Sequence, residues 1–114
     1  MRYEYLSENP TAVVLQLVGA KWKILIIQNL LKNSMRFSEL RKKLGCTAKV
    51  LSNCLKELEE DGLIIREENE SEINRVEYFL TDIGCTLKPV IDSIQKWGKD
   101  YKKLRKLMKK RGDI

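Results

Sequence analysis

A chain of 114 residues with 43% hydrophobic content fits one domain able to bury a core, and disorder is not expected. The formal charge of +6 suits a polyanionic partner, while the absence of histidine removes the commonest general base and the commonest zinc ligand together. Cys46, Cys54 and Cys85 form no C-x-x-C pair and read as reduced thiols, so no metal and no cofactor are expected. The apolar runs fall well short of the about 20 residues of a membrane span. Because Met1-Arg2-Tyr3-Glu4-Tyr5 has no signal-peptide character, a cytoplasmic protein is expected.

Along the chain, Ser7-Glu8-Asn9-Pro10 opens polar, with Pro10 suited to the first turn of a helix. Val13, Val14, Leu17 and Val18 then repeat at helical spacing up to Gly19. A second helix opens at Lys21-Trp22-Lys23 and closes near Asn33-Ser34. Its Ile24, Leu25, Ile27, Leu30 and Leu31 spread round the circumference, which predicts a place in the middle of the core. After an extended link at Met35-Arg36-Phe37, Ser38 is expected to cap a short helix that Gly45 breaks, leaving Gly45-Cys46 as a tight turn. Thr47 is the next expected N-cap, and Leu51, Cys54, Leu55 and Leu58 give its helix an apolar stripe that ends at Asp61-Gly62. Leu63 to Glu67 and Arg75 to Leu80 read as two strands of a hairpin, joined by the charged connection 68–74. Thr81 caps a last helical region in which Pro89 restarts or kinks the helix. Leu87, Val90, Ile91, Ile94 and Trp97 line its apolar face, and a basic segment follows Gly98.

This order, mainly α with one small β-hairpin in a single domain over 1–114, is that of a winged helix-turn-helix, in which the second helix of the pair enters the major groove. Double-stranded DNA is therefore the expected partner, with no catalytic arrangement among the hydroxyls and acids. With its stripe turned inward, the helix from Thr47 to Glu60 leaves Ala48, Lys49, Ser52, Asn53 and Lys56 outward, where Lys can donate to guanine and Asn can pair with adenine. Amides at its N-terminus by Thr47 suit a phosphate. The acids Glu57, Glu59, Glu60 and Asp61 at its far end favour an approach led by that N-terminus. Arg36, Ser38, Arg41, Lys42 and Lys43 supply a phosphate grip, and Arg75 near the hairpin tip is placed for phosphate or minor groove.

Several segments resemble HxlR-type regulators, a MarR-like winged-helix family. They are Leu17-Val18-Gly19-Ala20-Lys21-Trp22-Lys23-Ile24-Leu25-Ile26, Arg36-Phe37-Ser38-Glu39-Leu40-Arg41, Lys49-Val50-Leu51-Ser52, Leu55 to Ile64, Arg75-Val76-Glu77-Tyr78 and Leu80 to Gly84. The resemblance runs from about Pro10 to Gly98, leaving 99–114 as a basic C-terminal helix or tail. It implies a homodimeric transcription regulator with extra N- and C-terminal dimerisation helices, whose interface would draw on Val13, Val14, Leu17, Val90, Ile94, Trp97 and Tyr101. Many members carry a cysteine just before the proline that precedes the first helix, in some as a redox switch; here Asn9 stands in that place.

Two other classes remain open: a winged-helix module that binds proteins, and a sensor with a small-molecule effector pocket at the dimer interface. Trp22 and Trp97 are expected to pack rather than to bind ligand. Cys54, and with it Cys85, reads as a small core hydrophobe. Cys46, in the turn, is expected to be the most exposed of the three thiols. The basic residues after Gly98 read equally as a solvated face or as an auxiliary phosphate contact.

Overall fold

The computed structural model describes residues 4–68 and 75–112. Helix α1 (Pro10–Val18) begins where Asn9, in extended conformation, accepts the Thr11 N–H on its side chain at 2.9 Å, with Pro10 at the first helical position. The residue standing where the resemblance places a cysteine is thus a helix cap. Helix α2 (Lys21–Leu30) buries Ile26, Ile27 and Leu30 and packs against α1 and against most of the later elements, ending a turn earlier than Asn33-Ser34.

Helix α3 (Phe37–Leu44) starts one residue before the expected cap. Arg36 occupies the N-cap, and the Glu39 carboxylate reaches back to its backbone N–H at 3.0 Å. Ser38 therefore lies inside the first turn. Gly45 closes α3 at φ +76, a left-handed conformation that favours glycine, and its N–H returns to the Arg41 carbonyl at 2.8 Å.

Helix α4 (Ala48–Glu60) is capped by Thr47, whose hydroxyl accepts the Val50 N–H at 3.2 Å, and it buries the whole stripe of Leu51, Cys54, Leu55 and Leu58. Gly62, at φ +78, turns the chain into strand β1 (Ile64–Glu68), which pairs antiparallel with β2 (Val76–Leu80) in a register that sets Ile64 opposite Leu80. The link before α3 joins this sheet: Met35 and Tyr78 exchange both backbone hydrogen bonds, at 3.2 and 2.8 Å. Residues 69–74 of the charged connection lie outside the described residues.

Thr81 ties the exit of the hairpin to the end of α4. Its hydroxyl donates to the Gly62 carbonyl at 2.7 Å and accepts the Gly84 N–H at 3.0 Å, capping the short helix α5 (Asp82–Cys85). Gly84 is buried against Leu63, and a Cβ there would overlap the Leu63 carbonyl oxygen. Helix α6 (Lys88–Arg111) takes Pro89 in its first turn and runs unbroken through Gly98, so the basic segment is helical throughout its described length. Of its 24 residues only Ile91 is buried. Among the described residues, no single helix is long and apolar enough to cross a membrane.

Cys54 lies in the core as the sequence suggests, but the other two thiols are not where the sequence puts them. Cys46 is buried at 8% exposure beneath the α3–α4 turn, as is Cys54, whereas Cys85 is exposed. The Gly45 turn folds Cys46 inward to pack with the core, while α5 lies on the surface and shows Cys85 to solvent.

Candidate nucleic-acid interface

Helix α4 owes its orientation to the leucines on its inner side. Leu51 and Leu58 are fully buried and Leu55 almost so, and α-helical spacing then turns Lys49, Ser52, Asn53 and Lys56 outward, where all four are exposed. Ala48 is half-buried beside them and Thr47 is exposed at the helix start. One face of α4 is thus a row of small and basic polar groups, among which Asn53 offers both a donor and an acceptor.

The acidic end of α4 is drawn into the body of the protein. Glu57 lies 3.4 Å from the ammonium of Lys23, a lysine on α2 whose side chain is only 7% exposed. Asp61 is buried as well. Two of the four acids at that end are therefore held by the fold, and the pair links α4 to the central helix. Nothing in the sequence marks Lys23 for this role, since a lysine near the start of a helix is ordinarily solvated. Burial pushes the Cys54 thiol above its ordinary range, against the lowering pull of the Lys23 charge and with a smaller rise from Glu57, which makes it a poor nucleophile.

Arg36, Ser38, Arg41, Lys42 and Lys43 are all exposed on or just before α3. Phe37, Ser38, Arg41, Lys42, Gly45 and Cys46 border an open hollow of about 430 Å³ at the turn between the two helices. Arg41 reaches over that turn, its Nε directed at the Cys46 carbonyl at 3.5 Å. Two cations thus stand at the mouth of a shallow depression beside the N-terminus of α4.

The hairpin is less basic than Arg75 suggests. Its guanidinium is held by the Glu77 carboxylate through two hydrogen bonds of 3.2 and 3.1 Å, and Ser34 donates to the other carboxylate oxygen at 3.0 Å. These bonds, Arg75 first, keep the Glu77 carboxyl below the usual carboxylate range. The contact is therefore present above that range and disappears as pH falls through the lowered value. Arg66 is likewise bonded to Glu68 at 3.1 Å. Both arginines brace the wing.

The expected interface residues fall in two places. On α1, Val13 and Leu17 are half-buried and Val14 is 37% exposed. On α6, Val90, Ile94, Trp97 and Tyr101 are all exposed, and Leu104 continues the same face. Trp97 and Tyr101 stack with ring centroids 5.4 Å apart. Trp22, by contrast, packs against the core with the Lys21 ammonium 4.5 Å above its ring. The described residues hold no cluster of His, Cys, Asp or Glu able to bind a metal.

Two helices joined by a glycine turn, the second carrying an outward polar face and leading directly into a paired hairpin, define a winged helix-turn-helix of the kind that binds DNA. The chain belongs to the HxlR-like helix-turn-helix family, which it matches over residues 17–106, a span that includes most of α6. An HTH-type transcriptional regulator of Halalkalibacterium halodurans is 42% identical over 95 residues, covering 82% of this chain and 84% of that one. YdeP of Bacillus subtilis, also named as an HTH-type transcriptional regulator, is 40% identical over 94 residues, covering 82% and 73%. In structure the chain is similar to the redox regulator HypR in its reduced form, with a TM-score of 0.79 and 31% identity over 86% of this chain and 98% of that one. It is also similar to the reduced form of the regulator YodB from B. subtilis, with a TM-score of 0.71 and 30% identity over 83% and 95%. The protein is a transcriptional regulator by family and not an enzyme.

Proposed function

We propose that two copies of this chain read a near-palindromic operator in the cytoplasm, each setting α4 into the major groove with its N-terminus leading. The observation that carries this is the exposed row Lys49, Ser52, Asn53 and Lys56 on a helix whose opposite side is locked into the core. The N-terminal half of α4 has no acid in its first turn, and Glu57 and Asp61 are held by the body. Phosphates near the leading end thus meet helix amides and the cations of α3 rather than carboxylates. The exposed apolar faces of α1 and α6 support the homodimer, and a two-fold pair presents its two α4 helices to successive major-groove faces, about 10 base pairs apart.

Asn53→Ala is expected to weaken operator binding by about 1–3 kcal/mol and to relax base preference at one position in each half-site, with little change on scrambled DNA. Competition binding against single-base operator variants measures this. Unchanged affinity and preference across Lys49→Ala, Ser52→Ala, Asn53→Ala and Lys56→Ala would instead favour a protein-binding module.

An effector role has one structural support. Val13, Leu17, Leu63, Ile83, Thr86 and Leu87 border an apolar cleft of about 200 Å³ between α1 and the start of α6. Leu63 follows directly on the Gly62 turn that ends α4, so a small apolar molecule lodged there would press on the hinge between the DNA-reading helix and the interface helices.

A further inference from the structure

The net positive charge of this protein lies outside residues 1–98, the part that carries the helix-turn-helix. Residues 99–114 hold eight of the 22 Lys and Arg but only two of the 16 Asp and Glu, which leaves residues 1–98 balanced at 14 of each. The whole excess of +6 therefore lies at the C-terminal end, and all eight of those cations are on α6. They are also sorted by face. On a helical wheel of about 100° per residue, Lys99, Lys102, Lys103, Lys106, Lys109 and Lys110 fall within about 120° of arc. The apolar residues Trp97, Tyr101, Leu104 and Met108 are centred on the opposite side.

The lysine face is exposed along its length, and none of its six lysines forms an ion pair among the described residues. Asp100, the acid that α6 carries in this stretch, lies off the arc and is taken by Lys96 at 2.8 Å. Lysines at i, i+3 and i+4 on one helix repel one another. Lys109 and Lys110 are favoured by the helix dipole, but Lys99 to Lys106 lie a turn or more from the C-terminus and gain little from it. Among the described residues this row of mutually repelling lysines has no ion pair of its own, with only Lys103 near enough to Asp100 to feel its charge, and such a row is stabilised when a polyanion replaces its diffuse counterions.

We propose that the lysine face of α6 is a second DNA contact, holding the phosphates of duplex DNA without regard to base sequence. It rests on the assignment of α4 as the base reader. In a dimer joined through the apolar side of α6, both lysine faces point away from the joint, so dimerisation leaves them free. The division of labour is then between a body of balanced charge, which reads bases through α4 and grips nearby phosphates through α3, and a basic helix that adds general affinity for the polymer.

The test is the quadruple variant Lys99→Gln, Lys103→Gln, Lys106→Gln and Lys110→Gln, titrated by fluorescence anisotropy against a scrambled duplex and the operator duplex over a range of salt. On the scrambled duplex, the slope of log K against log salt is expected to become shallower by about 0.9 for each phosphate that the variant no longer neutralises, and affinity near physiological salt to fall at least tenfold. The ratio of operator to scrambled affinity stays the same or rises. The matching Lys→Arg variant retains the wild-type slope, which separates removal of charge from disruption of the helix. An unchanged slope on both duplexes overturns the proposal. So does wild-type binding to phosphatidylglycerol vesicles that the Gln variant loses while its DNA slope stays intact. Because the change in slope on the scrambled duplex between wild type and the Gln variant reports the lysine face, failure of α4 as base reader would show separately, as no operator preference in the wild type.

Discussion

Trp97→Asp is expected to split the proposed dimer and to reduce operator affinity by at least a hundredfold. Trp97 is 68% exposed in the single chain, so the substitution costs the folded protomer little, but it places a carboxylate in the middle of the apolar face of α6. Leu87, Val90, Ile94, Trp97, Tyr101, Leu104 and Met108 follow one another at alternating steps of three and four, the spacing with which helices supercoil about each other. A charge at one such seam position, unpaired and desolvated, is strongly unfavourable. Binding of two half-sites by one linked pair commonly exceeds single-site binding by about 10²–10⁴, and this is the advantage removed. Sedimentation equilibrium should then report a species of 13.3 kDa instead of twice that mass. A variant that remains dimeric would place the interface elsewhere.

Leu58→Ala is expected to carry a large stability cost. The side chain is fully buried on the inner side of that helix, where it meets the core that α2 and β1 complete. Removing three carbons from such a site costs about 2–5 kcal/mol through reduced burial and the cavity left behind. For a domain of this size that corresponds to a fall in Tm of roughly 10 °C or more. Chemical denaturation at fixed protein concentration measures it, the concentration being held because association stabilises a dimer. A change below about 1 kcal/mol would mean that the site collapses without penalty, against the packing described.

Where the sequence carries strong periodicity, its elements and their faces are legible. The stripe Leu51, Cys54, Leu55 and Leu58 and the Thr47 cap define α4 on their own, because an amphipathic helix with a hydroxyl N-cap has few competitors. The outward row of α4 follows from that stripe by geometry. The start of α3 is two residues earlier than a Ser38 cap implies, because serine is the commoner cap and Glu39 the less obvious signal. An acid that bonds the N-cap amide from the third helical position marks Arg36, not Ser38, as the cap.

Tertiary contacts account for what is hidden from the sequence. Cys46 looks like surface because it sits in a turn, yet that turn folds it under α3 and α4, and Lys23 is buried only because Glu57 arrives from another helix. The pairing of Met35 with Tyr78 joins segments 43 residues apart, and a single bridge leaves no period-two pattern to read. Gly98 suggests a break, since glycine in a helix costs about 1 kcal/mol relative to alanine. The flanking Trp97, Tyr101 and lysines carry the helix through it. That continuity turns a basic segment of open role into a helix with one apolar and one lysine face.

The most direct test of the central claim is a hydroxyl-radical footprint of the wild-type protein on the DNA upstream of its own gene. Two protected segments in successive major-groove faces, about 10 base pairs apart and related by near-palindromic sequence, are the expected result. Protection that spreads uniformly along the duplex, with no preferred site at any salt concentration, would contradict it.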